Sequence, residues 1–121
     1  MKRIMLVEDE KIIATDIKML LQDYGFDVAE VVSSGEEAIQ KIVDLKPDLI
    51  IMDIMLAGKL NGIETMVLLH SQNLNYPVIY ITAYSDEKTR KKAMVTNPEG
   101  YVTKPIEEDI LFNTISRIFP N

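Results

Sequence analysis

Short apolar runs that do not alternate with polar residues set the tightest limit on how this chain can fold. Residues 4–7, 28–32, 49–52, 78–81 and 101–102 form such runs, each bounded by turn or charged residues, as buried strands are. Three of the five lack a clear polar face. A half-solvated antiparallel sheet would alternate, whereas a parallel strand covered by helices on both faces requires continuous hydrophobicity. The segments between the runs carry helical spacing. Ile13, Ile17, Leu20, Leu21 and Tyr24 fall at i, i+4, i+7, i+8 and i+11, with Gly25 placed to end that helix. A second helix starts at a capping-box candidate, Ser34 to Glu37, turns Ala38, Ile39, Ile42 and Val43 inward, and stops before Pro47. Further helical patterns cover 61–73, 85–97 and 107–119, the last with Leu111, Ile115 and Phe119 on one stripe. Strands alternating with helices imply a doubly wound α/β fold, whose functional crevice lies at the carboxyl ends of the strands where strand order reverses.

The residues that follow each strand are polar. Glu8, Asp9 and Glu10 come after the first, Asp53 ends the third, Thr82 ends the fourth, and Lys104 and Pro105 follow the fifth. In a parallel sheet these positions arrive at one edge. Asp53 is the sharpest of them, a carboxylate set into the apolar run LIIMDIML. Burying an ionised carboxylate alone costs several kcal/mol or more, so Asp53 must lie at a strand end or have compensating company. Two carboxylates about 5 Å apart repel by roughly 3 kcal/mol at an effective dielectric of about 20. Three make three such pairs, more than Lys104 alone offsets, and a cation is wanted. Oxygen ligands without Cys or His select a hard ion, and two carboxylates plus waters suit Mg²⁺ better than Ca²⁺. Such a site can dock phosphoryl oxygens, with Thr82 offering a hydroxyl, Lys104 a positive charge, and Asp53 an oxygen able to attack phosphorus. Acids at a helix start also interact well with its dipole, so Glu8 to Glu10 taken alone serve equally as a cap. Asp53 has no such alternative.

Composition removes several classes. At 121 residues the chain is expected to form one domain that buries roughly two-thirds of its unfolded surface. Acids outnumber Lys plus Arg by 19 to 13, for a net charge of −6, and phosphate-backbone binding needs a basic stripe, so direct nucleic-acid contact is not expected. The N-terminal apolar run is too short for a signal peptide or a membrane span, and a cytoplasmic protein without membrane contact is expected. The absence of Cys removes disulfides, thiolate metal sites and thiol nucleophiles.

Taken together, VEDE after the first strand, DLIIMDIML around the third, YITAYS after the fourth and GYVTKP after the fifth resemble the receiver domain of two-component response regulators, the CheY-like superfamily. The resemblance covers essentially the whole chain. It implies a flavodoxin-like (βα)5 fold with strand order 2-1-3-4-5 and no output domain within residues 1–121. By the same resemblance Asp53 is the phosphoacceptor, and Mg²⁺ is held by Asp9, Asp53 and the backbone carbonyl of Met55, with Glu8 acting through a metal-bound water. Thr82 and Lys104 contact the phosphoryl group, and a cis peptide bond joins Lys104 to Pro105. Thr82 and Tyr101 form a switch in which the Tyr101 ring turns inward from solvent, reshaping the surface of the fourth helix, fifth strand and fifth helix. The implied partners are a sensor histidine kinase or phosphotransfer protein and a downstream protein target on that surface, with the chain a monomer or a phosphorylation-dependent dimer. Such a protein catalyses only its own aspartyl phosphorylation and dephosphorylation.

The chain departs from the family pattern in places. The loop IMLAGKLNG is one residue longer than the commonest form before Gly62 and has Ala57 where proline is frequent, so a looser loop is expected. Glu8 replaces the commoner Asp. Met55 and Tyr84 stand two residues beyond Asp53 and Thr82, where polar side chains assist the hydrolytic water in similar proteins, so slow self-dephosphorylation is expected. Other classes fit less well. A dehalogenase-type phosphohydrolase needs an acid where Met55 stands, and a flavodoxin needs a Ser/Thr/Gly-rich loop where EDEKII stands. A pseudo-receiver acting only as a protein-binding module is the alternative that the full set of site residues disfavours. His70 reads as an ordinary surface histidine, and EKTRKK, 87–92, as a solvated helix face able to steer an acidic partner.

Overall fold

The computed structural model describes residues 1–120. Strands and helices alternate: β1 (Arg3–Val7), α1 (Lys11–Asp23), β2 (Asp27–Val32), α2 (Gly35–Leu45), β3 (Leu49–Asp53), α3 (Gly62–Ser71), β4 (Val78–Thr82), α4 (Glu87–Met94), β5 (Gly100–Thr103) and α5 (Glu108–Ile118). The strands form one sheet in the order β2-β1-β3-β4-β5, every pair parallel. This is the doubly wound arrangement expected from the apolar runs. Strand order reverses between β1 and β3, which puts the crevice at the carboxyl ends of those strands.

The sheet divides the apolar interior in two because successive strand residues face opposite sides. Met5, Val7, Ile50, Met52, Val78 and Tyr80 pack with Ala38 and Ile42 of α2, Met66 and Leu69 of α3, and Ala93 of α4. Their neighbours Ile4, Leu6, Leu49, Ile51, Ile79 and Ile81 pack on the other side with Ala14, Ile17 and Leu21 of α1 and Leu111 and Ile115 of α5. Neither side of β3 or β4 reaches water, which explains why those runs show no polar face.

Local signals place the helix ends with some differences. The Ser34 side chain accepts the Glu37 N–H at 3.1 Å, yet the Glu37 carboxylate accepts from Ser33 rather than from Ser34, so the capping box is only half closed. Lys46 takes a left-handed conformation at φ 47°, and its N–H closes on Ile42 O at 2.9 Å, ending α2 before Pro47. Val43, expected inward, is 54% exposed; Ile42 already fills the space beneath, and the next position rotates into solvent. A complete box appears on α3, where Asn61 and Glu64 satisfy each other's backbone N–H. The fourth helix is shorter than 85–97 at both ends: Asp86 caps its start by accepting the Thr89 N–H at 2.9 Å, and past Met94 the Thr96 and Asn97 N–H groups close tighter turns on Ala93 O and Met94 O.

Candidate functional site

Parallel register gathers the strand tips. Val7 is paired with Met52, Asp53 with Ile81 and Thr82 with Thr103, so Glu8 just past β1, Asp53 closing β3, Thr82 closing β4 and Lys104 just past β5 share one edge. Glu8 and Asp53 are each 2% exposed and Thr82 is fully buried. The Lys104 Nζ donates to Asp53 Oδ2 at 2.8 Å, stands 3.0 Å from Glu8 Oε2, and lies 3.9 Å from Glu10 Oε1. One ammonium thus serves two nearly buried carboxylates. Asp53 has the company its burial demands.

The charges respond accordingly. Burial, reinforced by hydrogen bonding with Asp53, pushes the Glu8 carboxyl up to about 7 against the opposing pull of Lys104. Burial alone would lower the Lys104 ammonium, but its hydrogen bond to Asp53 and its charge pairing with Glu8 outweigh that and hold it above the usual lysine value. Among the described residues Glu8 Oε2 has no hydrogen-bond partner; Lys104 is near enough to pair with its charge but lacks hydrogen-bond alignment. The carboxylate oxygens of Glu8, Asp9 and Glu10 come within 4.8 Å of one another. An all-oxygen group with an unsatisfied buried acceptor fits a hard divalent cation. The triplet also serves the helix start, where Glu8 Oε1 accepts the Glu10 N–H at 3.1 Å, although the Glu10 side chain, at the N-cap of α1, makes no cap hydrogen bond. Asp53 lies outside the triplet, with its Oδ1 accepting the Met55 N–H at 3.2 Å.

Thr82 and Tyr101 meet through Tyr84. The Tyr84 N–H donates to Thr82 Oγ1 at 3.0 Å, and the Tyr101 hydroxyl donates to Tyr84 O at 2.7 Å. The Tyr101 ring is half-buried, edge-on to Tyr80, and covered by the Arg90 guanidinium at 5.0 Å. The Lys104–Pro105 bond is cis. His70 sits at the opposite end of the sheet, lining a cleft with Pro77 and Glu99, the residues that precede β4 and β5.

The loop after β3 differs from expectation. Its ends close where the Gly62 N–H donates to Ile54 O at 2.8 Å, and its tip is held by the Glu36 carboxylate, which accepts the Lys59 N–H at 3.2 Å and the Leu60 N–H at 3.1 Å. The extra length is tied down rather than loose. Sequence reasoning overlooked Glu36, because an acid in the first turn of a helix carries no mark distinguishing a long-range acceptor from a dipole partner. The Arg90 stack on Tyr101 was likewise invisible, as EKTRKK shows no periodicity that singles out one cation.

Residues 4–116 match the family of response regulator receiver domains. The chain belongs to that family. Among curated relatives, the alkaline phosphatase synthesis transcriptional regulatory protein PhoP of Bacillus subtilis is 39% identical over 104 residues, which make up 86% of this chain and 42% of that protein. The chemotaxis protein CheY of Halobacterium salinarum is 27% identical over 117 residues, 97% of this chain and 96% of that one. The receiver domain of a modulated diguanylate cyclase from Desulfovibrio desulfuricans superposes with a TM-score of 0.88 at 37% identity, covering 98% of this chain and 93% of that chain. The chain spans half or less of the length of the curated transcriptional regulators it matches. No helix among its described residues is long and apolar enough to cross a membrane.

Proposed function

We propose that this receiver domain takes a phosphoryl group from a histidine kinase or phosphotransfer protein onto Asp53 and signals by the resulting change in its α4–β5–α5 surface. The observation that carries the reading is the nearly buried Asp53 carboxylate, held 2.8 Å from the Lys104 ammonium at the tip of a central strand. An Asp53 oxygen attacks the phosphorus of a phosphohistidine, the P–O bond forms as the P–N bond breaks, and the departing electron pair stays on the imidazole nitrogen. Lys104 is positioned to contact the new phosphoryl oxygens, and the Thr82 hydroxyl supplies a second contact once released from Tyr84. Mg²⁺ held by Asp9, Asp53 and the Met55 carbonyl, with Glu8 acting through a metal-bound water, would neutralise the carboxylates and the incoming phosphoryl oxygens. Tyr101 reports the Thr82 displacement to a downstream protein, as a population shift between two packings. The acidic balance of the chain leaves any nucleic-acid contact to other residues or partners.

Incubation with phosphoramidate and Mg²⁺ is expected to add one phosphoryl mass to wild type and none to Asp53→Asn. The same mass gain in D53N ends the proposal. The label should decay slowly, because Met55 and Tyr84, 54% and 44% exposed at the mouth, offer a weak thioether acceptor and a phenol in place of a carboxamide or carboxylate. A lifetime of only seconds contradicts that.

Metal and pH are linked through Glu8. Its folded value of about 7 exceeds the ordinary 4.5, so the folded state keeps a proton that the unfolded chain has released, and stability contributed here falls as pH rises between those values. Chelator-treated protein should therefore lose urea resistance across that window, and Mg²⁺ added above it should restore the loss. An equal response to Mg²⁺ below and above the window would argue against a cation at Glu8.

A further inference from the structure

The β3–α3 loop carries Met55 and therefore one edge of the phosphoacceptor site, and its tip is anchored from a different element. Glu36, in the first turn of α2, accepts the backbone N–H groups of Lys59 at 3.2 Å and Leu60 at 3.1 Å. Those bonds hold the Glu36 carboxyl below its ordinary value, the Lys59 N–H contributing most. Gly58 runs over the same carboxylate at φ +91°, and a Cβ there would collide with Glu36 Oε2. Just before these residues in both segments, Ser34 and Ala57 form an isolated parallel bridge. Gly35 presses against Thr65 and Leu60, so the start of α2 also abuts the start of α3.

We propose that Glu36 is a positioning residue for the phosphoacceptor site, acting through this loop on the cation that the site binds. The proposal rests on the reading of Asp53 and its acidic neighbours as a phosphorylation site. Beyond that reading it assigns a role to a side chain that touches neither the acidic group nor Asp53. With both ends of the loop fixed by the Gly62 to Ile54 bond and the tip fixed by Glu36, the Met55 peptide is left one arrangement. Without Glu36 the two tip N–H groups turn to water, and the loop samples several arrangements of which a fraction presents the Met55 carbonyl to the cation. A smaller competent fraction weakens cation binding in proportion while leaving the chemistry of the loaded site intact.

The test uses the whole chain and Mg²⁺ itself as the probe. Glu36→Ala should speed amide hydrogen exchange at Lys59 and Leu60 and weaken Mg²⁺ affinity, followed by backbone shifts at Met55, by roughly three- to tenfold. Phosphorylation from phosphoramidate should then need more Mg²⁺ yet reach a wild-type rate at saturation. Glu36→Gln, which keeps one acceptor oxygen, should fall between the two. Gly58→Ala should reproduce the E36A behaviour by displacing the carboxylate without removing it. Glu37→Ala removes the acceptor of the Ser33 N–H and the pair with Lys41 without touching the loop, and should leave exchange at Lys59 and Leu60 unchanged. Unaltered exchange at Lys59 and Leu60 with unaltered Mg²⁺ affinity in E36A overturns the proposal, as does an equal rise in that exchange in E37A. If wild type itself binds no Mg²⁺ and takes no label, it is the phosphorylation reading that falls, while exchange at Lys59 and Leu60 still reports whether Glu36 holds the loop.

Discussion

Replacing Lys104 by Met is expected to slow phosphorylation of Asp53 by about two orders of magnitude or more, the usual penalty for losing a charged donor at a developing oxyanion. The same change should destabilise the metal-free protein. Asp53 Oδ2 and Glu8 Oε2 both lie within 3.0 Å of the Lys104 Nζ, and their side chains are 3% and 0% exposed. Removing the one cation leaves two carboxylates in a poorly solvated crevice, and breaking a buried pair in this way typically costs about 3–5 kcal/mol. Part of that cost is avoidable by protonation, since Glu8 is already pushed up to about 7 and loses the group that opposes the rise. The folded variant therefore binds a proton more tightly than wild type does, and its stability deficit should widen as pH increases through neutrality. Urea titrations at several pH values read this directly. A deficit that narrows with rising pH would mean that the carboxylates find compensation elsewhere.

Gly62→Ala should be the most damaging single methyl group in the chain. A Cβ at position 62 would collide with the backbone carbonyl oxygen of Asp53 and lie 2.8 Å from Met52 Cγ. The obstacle is main chain at the end of a central strand, which cannot rotate away. Overpacking of this kind costs about 1–3 kcal/mol or more, and because the group displaced is the proposed phosphoacceptor, a shift of about 1 Å is enough to lower the rate by roughly a hundredfold. Gly25→Ala provides the contrast. Gly25 has open space around it but φ +91°, so alanine there should cost about 1 kcal/mol through backbone strain and leave phosphorylation untouched. Equal phosphorylation rates in G62A and G25A would refute the claim that Gly62 matters through Asp53.

The parts of this molecule that were legible in its sequence share a physical property: they depend on one segment at a time. Continuous apolar runs announced β3 and β4 because burial on both faces leaves no room for polar residues. Ser34 announced the start of α2 because its hydroxyl serves a backbone N–H three residues away. Asp53 was conspicuous because a carboxylate in an apolar run needs a reason. Arrangements made between distant segments were not legible in this way. Glu36 reaches across more than twenty residues to a loop, and nothing in its own neighbourhood distinguishes that acid from Glu37 beside it. Val43 was misplaced because a helix face read from periodicity is wider than the stripe that the core accepts. The acidic triplet was ambiguous between cap and cation site, and both roles remain in the structure, since Glu8 accepts the Glu10 N–H at the helix start and the three carboxylates share one edge.

Both main-chain polar groups of Tyr84 are engaged, its N–H with the Thr82 hydroxyl and its C=O with the Tyr101 phenol. The two groups belong to successive amide planes joined at the Tyr84 Cα. A tug on Thr82 that turns the first plane passes to the second through the φ and ψ of this one residue, and the phenol outside follows to the extent that those angles hold. The interior of the crevice and the outer face of the last strand are therefore geared together by main-chain atoms, which side-chain substitution at position 84 does not remove.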